Sequence, residues 1–282
     1  MKLAILLQHL APKQLITVIA GKLANLECKR LTPKVIAWFV KRYQVNMQEA
    51  ANPDISSYKT FNDFFTRPLK AGARPFAKAA FICPVDGAIS QFGDIKKDQI
   101  FQAKNHDYST LALVAGNAAL ASQFDNGSFA CLYLSPKDYH RIHMPCDGKL
   151  KSMAYVPGDL FSVNPTTAEN VPNLFARNER VVCEFVSETH GTFLMVLVGA
   201  TIVGSMATSW EGIINPPRSK TVRKWKYASQ NITLKQGDEM GMFLLGSTVV
   251  MLFEKGALTF NDSWQPAQEI KLGEVMGSAQ SD

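Results

Sequence analysis

Residues 237–254 read GDEMGMFLLGSTVVMLFE, and both the fold and the chemistry turn on Leu245-Gly246-Ser247-Thr248 at their centre. Met242 to Leu245 and Val249 to Phe253 are apolar and largely β-branched or long, which predicts buried strand on both sides of the glycine. A glycine inside a strand weakens it, so it marks a bulge or a close approach to the backbone. Here the approaching group can be the neighbouring side chain, because in a kinked backbone the Ser247 hydroxyl reaches the Gly246 carbonyl carbon. On these residues alone, a plain bulged strand and a self-reacting peptide bond both remain open.

The flanking sequence sets the frame. A chain of 282 residues, 46% hydrophobic and 19% charged, is long enough for a sizeable core and has the composition of a folded globular protein. The net charge of +6 sits in the first fifty residues, where eight Lys and Arg face only Glu27 and Glu49. Such a localised excess points to an anionic partner, a membrane surface or a nucleic acid. The five cysteines (Cys28, Cys83, Cys131, Cys146, Cys183) are widely spaced and odd in number, which reads as reduced core thiols of a cytoplasmic protein. The short apolar run after Lys2 lacks a small-residue cleavage site and is expected to be retained.

From Lys13 to Leu31, Leu15, Ile19, Leu23 and Leu26 recur at helical spacing with Lys22 and Lys29 beside the stripe. Lysines so placed can lay their stems on apolar surface and raise their charge to headgroup level. Thr32-Pro33 restarts a helix over Lys34 to Val45. Packing on the protein's own core is the competing reading; the basic charge with Trp38 and Tyr43 favours a membrane-facing pair over nucleic acid. The uncharged run 191–210 is broken by Gly199-Ala200 and Gly204-Ser205, so it predicts two buried strands joined by a tight turn, not a membrane span. Strands are also expected at Phe129–Leu134, Val181–Val186 and Thr248–Phe253, a helix over Tyr108–Phe124, and a polar surface loop over Val156–Arg180. The fold class is α+β: a helical, basic, membrane-associating segment over 1–60 on a β-rich catalytic domain over 61–282.

Two further strings accompany LGST: Pro84-Val85-Asp86-Gly87 and Asp138-Tyr139-His140-Arg141-Ile142-His143-Met144-Pro145. In this order the set resembles the bacterial, pyruvoyl-dependent phosphatidylserine decarboxylase proenzymes. Phe64-Phe65-Thr66-Arg67, Ser162-Val163-Asn164-Pro165, Leu174-Phe175 with Asn178-Glu179-Arg180, and Val198-Gly199-Ala200 with Val203-Gly204-Ser205 extend the likeness over residues 60–254.

An amine-bearing carboxylate loses carbon dioxide only if the carbanion left behind is stabilised, and a carbonyl that forms a Schiff base with the amine does this. No lysine here sits in a pyridoxal motif, so a carbonyl made from the chain is the economical alternative. The resemblance implies that Ser247 attacks Gly246, that the chain is cut into 1–246 and 247–282, and that Ser247 becomes the covalent pyruvoyl cofactor. It implies the conversion of phosphatidylserine to phosphatidylethanolamine at the cytoplasmic face of the membrane, by a peripheral enzyme. The two chains stay together, and a homo-oligomer of the cleaved pair is expected, with no nucleic acid.

By the same resemblance His143 is the base for Ser247 and Asp86 its orienter, a Ser-His-Asp arrangement. His140, three residues earlier, would face the same way on a helical turn and is left free to act on substrate. Asp86-Gly87 is equally a plain turn, and His143 equally a core histidine. Arg67 can pair with a phosphate or serve as an anchor with its phenylalanines, and it stays outside the site. Two other classes remain: a metal hydrolase using Asp138, His140, His143 and Cys146, although the HExxH pattern is missing, and a non-enzymatic lipid-binding module.

Overall fold

The computed structural model describes residues 3–103, 106–202, 205–245 and 248–279. Gly246 and Ser247, on which the cleavage reading rests, and Val203-Gly204 of one quoted motif lie outside the described residues.

The strand Thr248–Phe253 lies at the middle of a nine-stranded antiparallel sheet, paired along its whole length with Ser128–Tyr133 on one side and Gly191–Val198 on the other. Successive side chains of a strand point to opposite faces. Val249, Met251 and Phe253 therefore enter one apolar cluster, and Val250 and Leu252 another. Both faces being covered, the strand reads as a continuous apolar run with no alternation. The sheet continues outward through Arg180–Ser187, Gly148–Val156 and Arg223–Lys226 on one flank and Gly87–Asp94 and Glu269–Ile270 on the other.

The expected single strand through Gly246 is two strands in two sheets. Glu239–Phe243 belongs to a four-stranded sheet with Arg141–His143, Met206–Thr208 and Gly212–Ile213, and this sheet contributes Ile142, Met206, Met240 and Phe243 to one core cluster. The chain thus changes sheets between Phe243 and Thr248. The strands of the 191–210 run are likewise no hairpin: Gly191–Val198 and Met206–Thr208 sit one in each sheet.

The other face of the large sheet is covered by irregular chain. The expected helix over 108–124 is broken at Ala115 and Gly116, whose φ of +55° and +80° end Thr110–Leu113 before Ala118–Ala121 begins. The expected surface loop over 156–180 is packed: Leu160, Phe161, Val171, Leu174 and Phe175 are buried, and Asn178 anchors the segment by bonding the Phe161 backbone and the Gly199 carbonyl.

Four helices precede the sheets: α1 (Leu3–Leu10), α2 (Lys13–Ala24), α3 (Thr32–Tyr43) and α4 (Phe61–Phe65). α2 ends seven residues before the expected Leu31, and α3 starts at Thr32 with Pro33 in its first turn. α4 begins with a capping box in which Thr60 and Asp63 satisfy one another's backbone N–H. It delivers Phe64 and Phe65 to a small cluster with Ile36 and Val45. α2 is tied to the chain between the two sheets by Thr17, whose buried hydroxyl accepts the Ile202 N–H at 3.1 Å. None of the described helices is long and apolar enough to cross a membrane.

Candidate active site

The sheet change decides which groups gather around Leu244, Leu245 and Thr248. Before it, the Phe243 N–H donates to the His140 carbonyl at 3.0 Å and the Leu244 N–H to the Ser205 carbonyl at 3.0 Å. After it, Thr248 sits between Tyr133 and Val198, fully buried, its Oγ1 without a partner. Leu245 packs against both the α3–α4 cluster and the core beneath the sheet. A cleft of about 210 Å³ opens here, lined by Phe39, Tyr43, Phe65, Tyr133, Ile202 and Leu245.

The two histidines do not share one face of a helical turn. Residues 141–143 are strand, and each imidazole has its own surroundings. His140 is fully buried against Phe65, ring centroids 4.1 Å apart. Its Nδ1 lies 2.8 Å from the Asp138 carbonyl oxygen, and its Nε2 has no partner. Burial pushes its pKa down to about 3, against the raising effect of the Asp138 bond. Since a carbonyl oxygen only accepts, Nδ1 carries the hydrogen, and the neutral ring keeps its bare lone pair on Nε2.

His143 is arranged the same way by a different carbonyl. Its Nδ1 donates to the Gly237 oxygen at 2.7 Å, and its Nε2 accepts from the Tyr139 hydroxyl at 3.1 Å. Burial lowers its pKa as well, with the Gly237 bond opposing.

Asp86 is buried but does not bond His143. Its carboxylate takes the Arg74 guanidinium at 2.9 Å from Nε and 2.5 Å from Nη2, and accepts the Leu272 N–H at 2.9 Å. Arg74 reaches on to Glu49 at 2.6 Å. Both nitrogens of His143 are thus occupied by other groups, and Asp86 acts on the two histidines only as a nearby negative charge that raises their basicity. Arg67, left outside the site on sequence grounds, is buried over the Phe64 ring and makes two long hydrogen bonds of 3.4 Å to the Phe64 and Lys137 carbonyls. Its charge helps to hold His140 neutral. Among the described residues no group of three or more His, Cys, Asp and Glu is placed to hold a metal ion.

The family described as phosphatidylserine decarboxylase matches this chain over residues 61–278. The chain belongs to the phosphatidylserine decarboxylase family. It is an enzyme, a carboxy-lyase. A second family, described as PSD, matches over residues 3–44, the three N-terminal helices. Phosphatidylserine decarboxylase proenzymes of Dechloromonas aromatica and Albidiferax ferrireducens are 69% and 67% identical to it, the alignments covering 98% of this chain in each case and 98% and 96% of theirs. That of Methylobacillus flagellatus is 66% identical over 96% of both chains.

Within this phosphatidylserine decarboxylase family member, sequence reasoning missed Arg74, Glu49 and Tyr139. Tyr139 stands inside a motif string and four residues from the histidine it bonds, so its spacing carried some signal. Nothing near Arg74 or Glu49 encodes a pairing with Asp86, which only the assembled fold creates.

Proposed function

We propose that this protein is a self-processing, pyruvoyl-dependent decarboxylase that converts phosphatidylserine to phosphatidylethanolamine and carbon dioxide. The observation that carries the reading is the sheet change between Phe243 and Thr248, accompanied by two buried polar atoms without partners among the described residues, His140 Nε2 and Thr248 Oγ1. Buried polar groups are nearly always bonded, so two orphans beside one junction suit a site that receives another group. The proposed pyruvoyl carbonyl, once formed from Ser247, supplies the electron sink that decarboxylation needs.

In processing, His143 Nε2 takes the Ser247 hydroxyl proton, directly after the Tyr139 hydroxyl yields or through it. The serine oxygen bonds to the Gly246 carbonyl carbon while the peptide bond to the Ser247 nitrogen breaks. Elimination from the resulting ester frees residues 1–246 with a carboxylate end, and hydrolysis of the dehydroalanine releases ammonia. Asp86 supports the base by its negative charge and by fixing Leu272 of the C-terminal segment. In turnover, His140 Nε2 takes up the proton that the substrate's ammonium group loses on joining the carbonyl and returns it to the carbon that loses carbon dioxide, and the Phe65 ring packed on the imidazole helps to exclude water. Intact mass spectrometry of active enzyme is expected to show residues 1–246 and a 247–282 chain beginning with pyruvoyl. A single full-length mass in an active preparation overturns the reading.

Residues 1–60 serve, in the same proposal, as a peripheral membrane-associating segment. The expected helical stripe is left open: Leu23 and Trp38 are 64% and 61% exposed, beside exposed Lys22, Lys29, Lys34 and Lys41. Adsorption to anionic vesicles is expected to fall with salt without vanishing, and neutralising Lys29 and Lys34 to weaken it by about 1 kcal/mol per charge. Vesicle flotation measures this; unchanged partition of the neutralised protein means that the helices do not dock through charge.

A further inference from the structure

A second cleft, of about 440 Å³, lies between α2 and the turn through Pro216 and Arg218, lined by Lys22, Asn25, Asn62, Ser205, Arg218 and Leu245 among others. No carboxylate is among its described lining residues. We infer that this cleft is the subsite for the phosphodiester of the lipid substrate, an inference that rests on the proposed lipid decarboxylation.

Three observations converge on it. The first is charge. The Arg218 guanidinium is fixed by the buried Glu179, Nε to carboxylate 3.1 Å, and Glu179 is itself held by Tyr155 at 2.8 Å and by Asn215. Across the cleft, exposed Lys22 has no carboxylate partner among the described residues, so it is the cation left for an anionic ligand. A rigid guanidinium facing a mobile ammonium is a common way to hold a phosphate.

The second is an unmet buried group. Asn62 is 5% exposed; its Nδ2 donates to Asn25 Oδ1 at 2.8 Å, and its Oδ1 has no partner. A water there can donate one hydrogen to this oxygen and the other to a bound phosphate, with the Asn25 bond kept.

The third is order along the substrate. The cleft shares Ile202 and Leu245 with an apolar cleft of about 390 Å³ between α2 and α3, lined by Leu23, Leu26, Trp38 and Phe39. It shares the same two residues with the cleft over Phe65 and Tyr133. A diacyl lipid presents acyl chains, phosphodiester and amino acid in that order, and the three clefts meet at Leu245 in a matching arrangement. Only an oxygen and a methylene separate the phosphorus from the carbon that loses carbon dioxide, so a phosphate held here keeps that carbon close to position 247.

The test is steady-state decarboxylation of phosphatidylserine diluted in a large excess of uncharged detergent, at a salt concentration high enough to screen the remaining surface charge. Lys22→Gln is expected to raise KM about tenfold with kcat within a factor of two, and Lys22→Arg to recover most of the loss. Glycerophosphoethanolamine, a soluble phosphodiester, is expected to compete with substrate in the unaltered enzyme and to compete several-fold more weakly in Lys22→Gln. An unchanged KM in Lys22→Gln overturns the subsite, as does a raised KM with undiminished sensitivity to the phosphodiester, which would make Lys22 structural. Failure of the unaltered enzyme to release carbon dioxide from phosphatidylserine overturns instead the activity on which the inference rests.

Discussion

His143→Ala and Asp86→Asn are expected to leave the chain uncut and without activity, whereas His140→Ala is expected to cut and then turn over roughly 100- to 10,000-fold more slowly. The reason lies in what each group faces. His143 presents an unprotonated Nε2 only to Tyr139, so its lone pair is available to a hydroxyl once that contact yields. Among the described residues nothing bonds the unprotonated His140 Nε2, and with a pKa of about 3 the resting ring is a neutral base across the working range. A gel for cleavage beside an assay of carbon dioxide release on each variant separates the two roles. Trapping the carbonyl with an amine and borohydride should succeed in His140→Ala and fail in the other two. If His140→Ala is the uncut protein and His143→Ala processes normally, the roles are reversed; if all three are cut, another base takes the serine proton.

Arg74→Met is expected to lower the stability of the uncut chain by about 3–5 kcal/mol, the typical loss when one partner of a buried ion pair is removed. The Asp86 carboxylate is 2% exposed and keeps the Leu272 N–H, but Lys271 stands 3.6 Å away and is itself partly in solvent. Urea denaturation in a Ser247→Ala background, where a single chain makes the transition interpretable, measures the effect. Glu49→Gln, which removes the more exposed arm of the Arg74 bridge, should cost far less. A loss below about 1 kcal/mol in Arg74→Met would mean that water or Lys271 replaces the guanidinium.

The central strand was legible because a β-branched apolar run buried on both faces leaves little alternative, and α3 because Pro33 fixes its start. The sheet change between Phe243 and Thr248 was not, since Met242, Phe243 and Val249, Val250 are equally apolar whichever sheet they join. The packed segment 156–180 was hidden by irregular spacing: Leu160, Phe161, Val171 and Phe175 enter the core from turns and one-turn helices, which carry no period. In the proposed site, Asp86, His140 and His143 were visible as residue types, but their partners were not. A histidine's tautomer is set here by the carbonyls of Asp138 and Gly237, and main-chain groups leave no trace in side-chain pattern.

The place of Thr248–Phe253 between strands made much earlier in the chain also imposes an order on biosynthesis. Residues 128–133 and 191–198 leave the ribosome first and flank a gap that stays open until the last segment of the chain arrives. The large sheet closes only then, so a cut that depends on the closed sheet waits for residues 248–253. If the chain is cut as proposed, the C-terminal piece keeps residues 248–253 as an interior strand with hydrogen-bonded neighbours on both edges. Once unfolded, the mature protein would have to recover that strand by encounter between separate molecules, so its renaturation should depend on protein concentration where that of the uncut precursor does not.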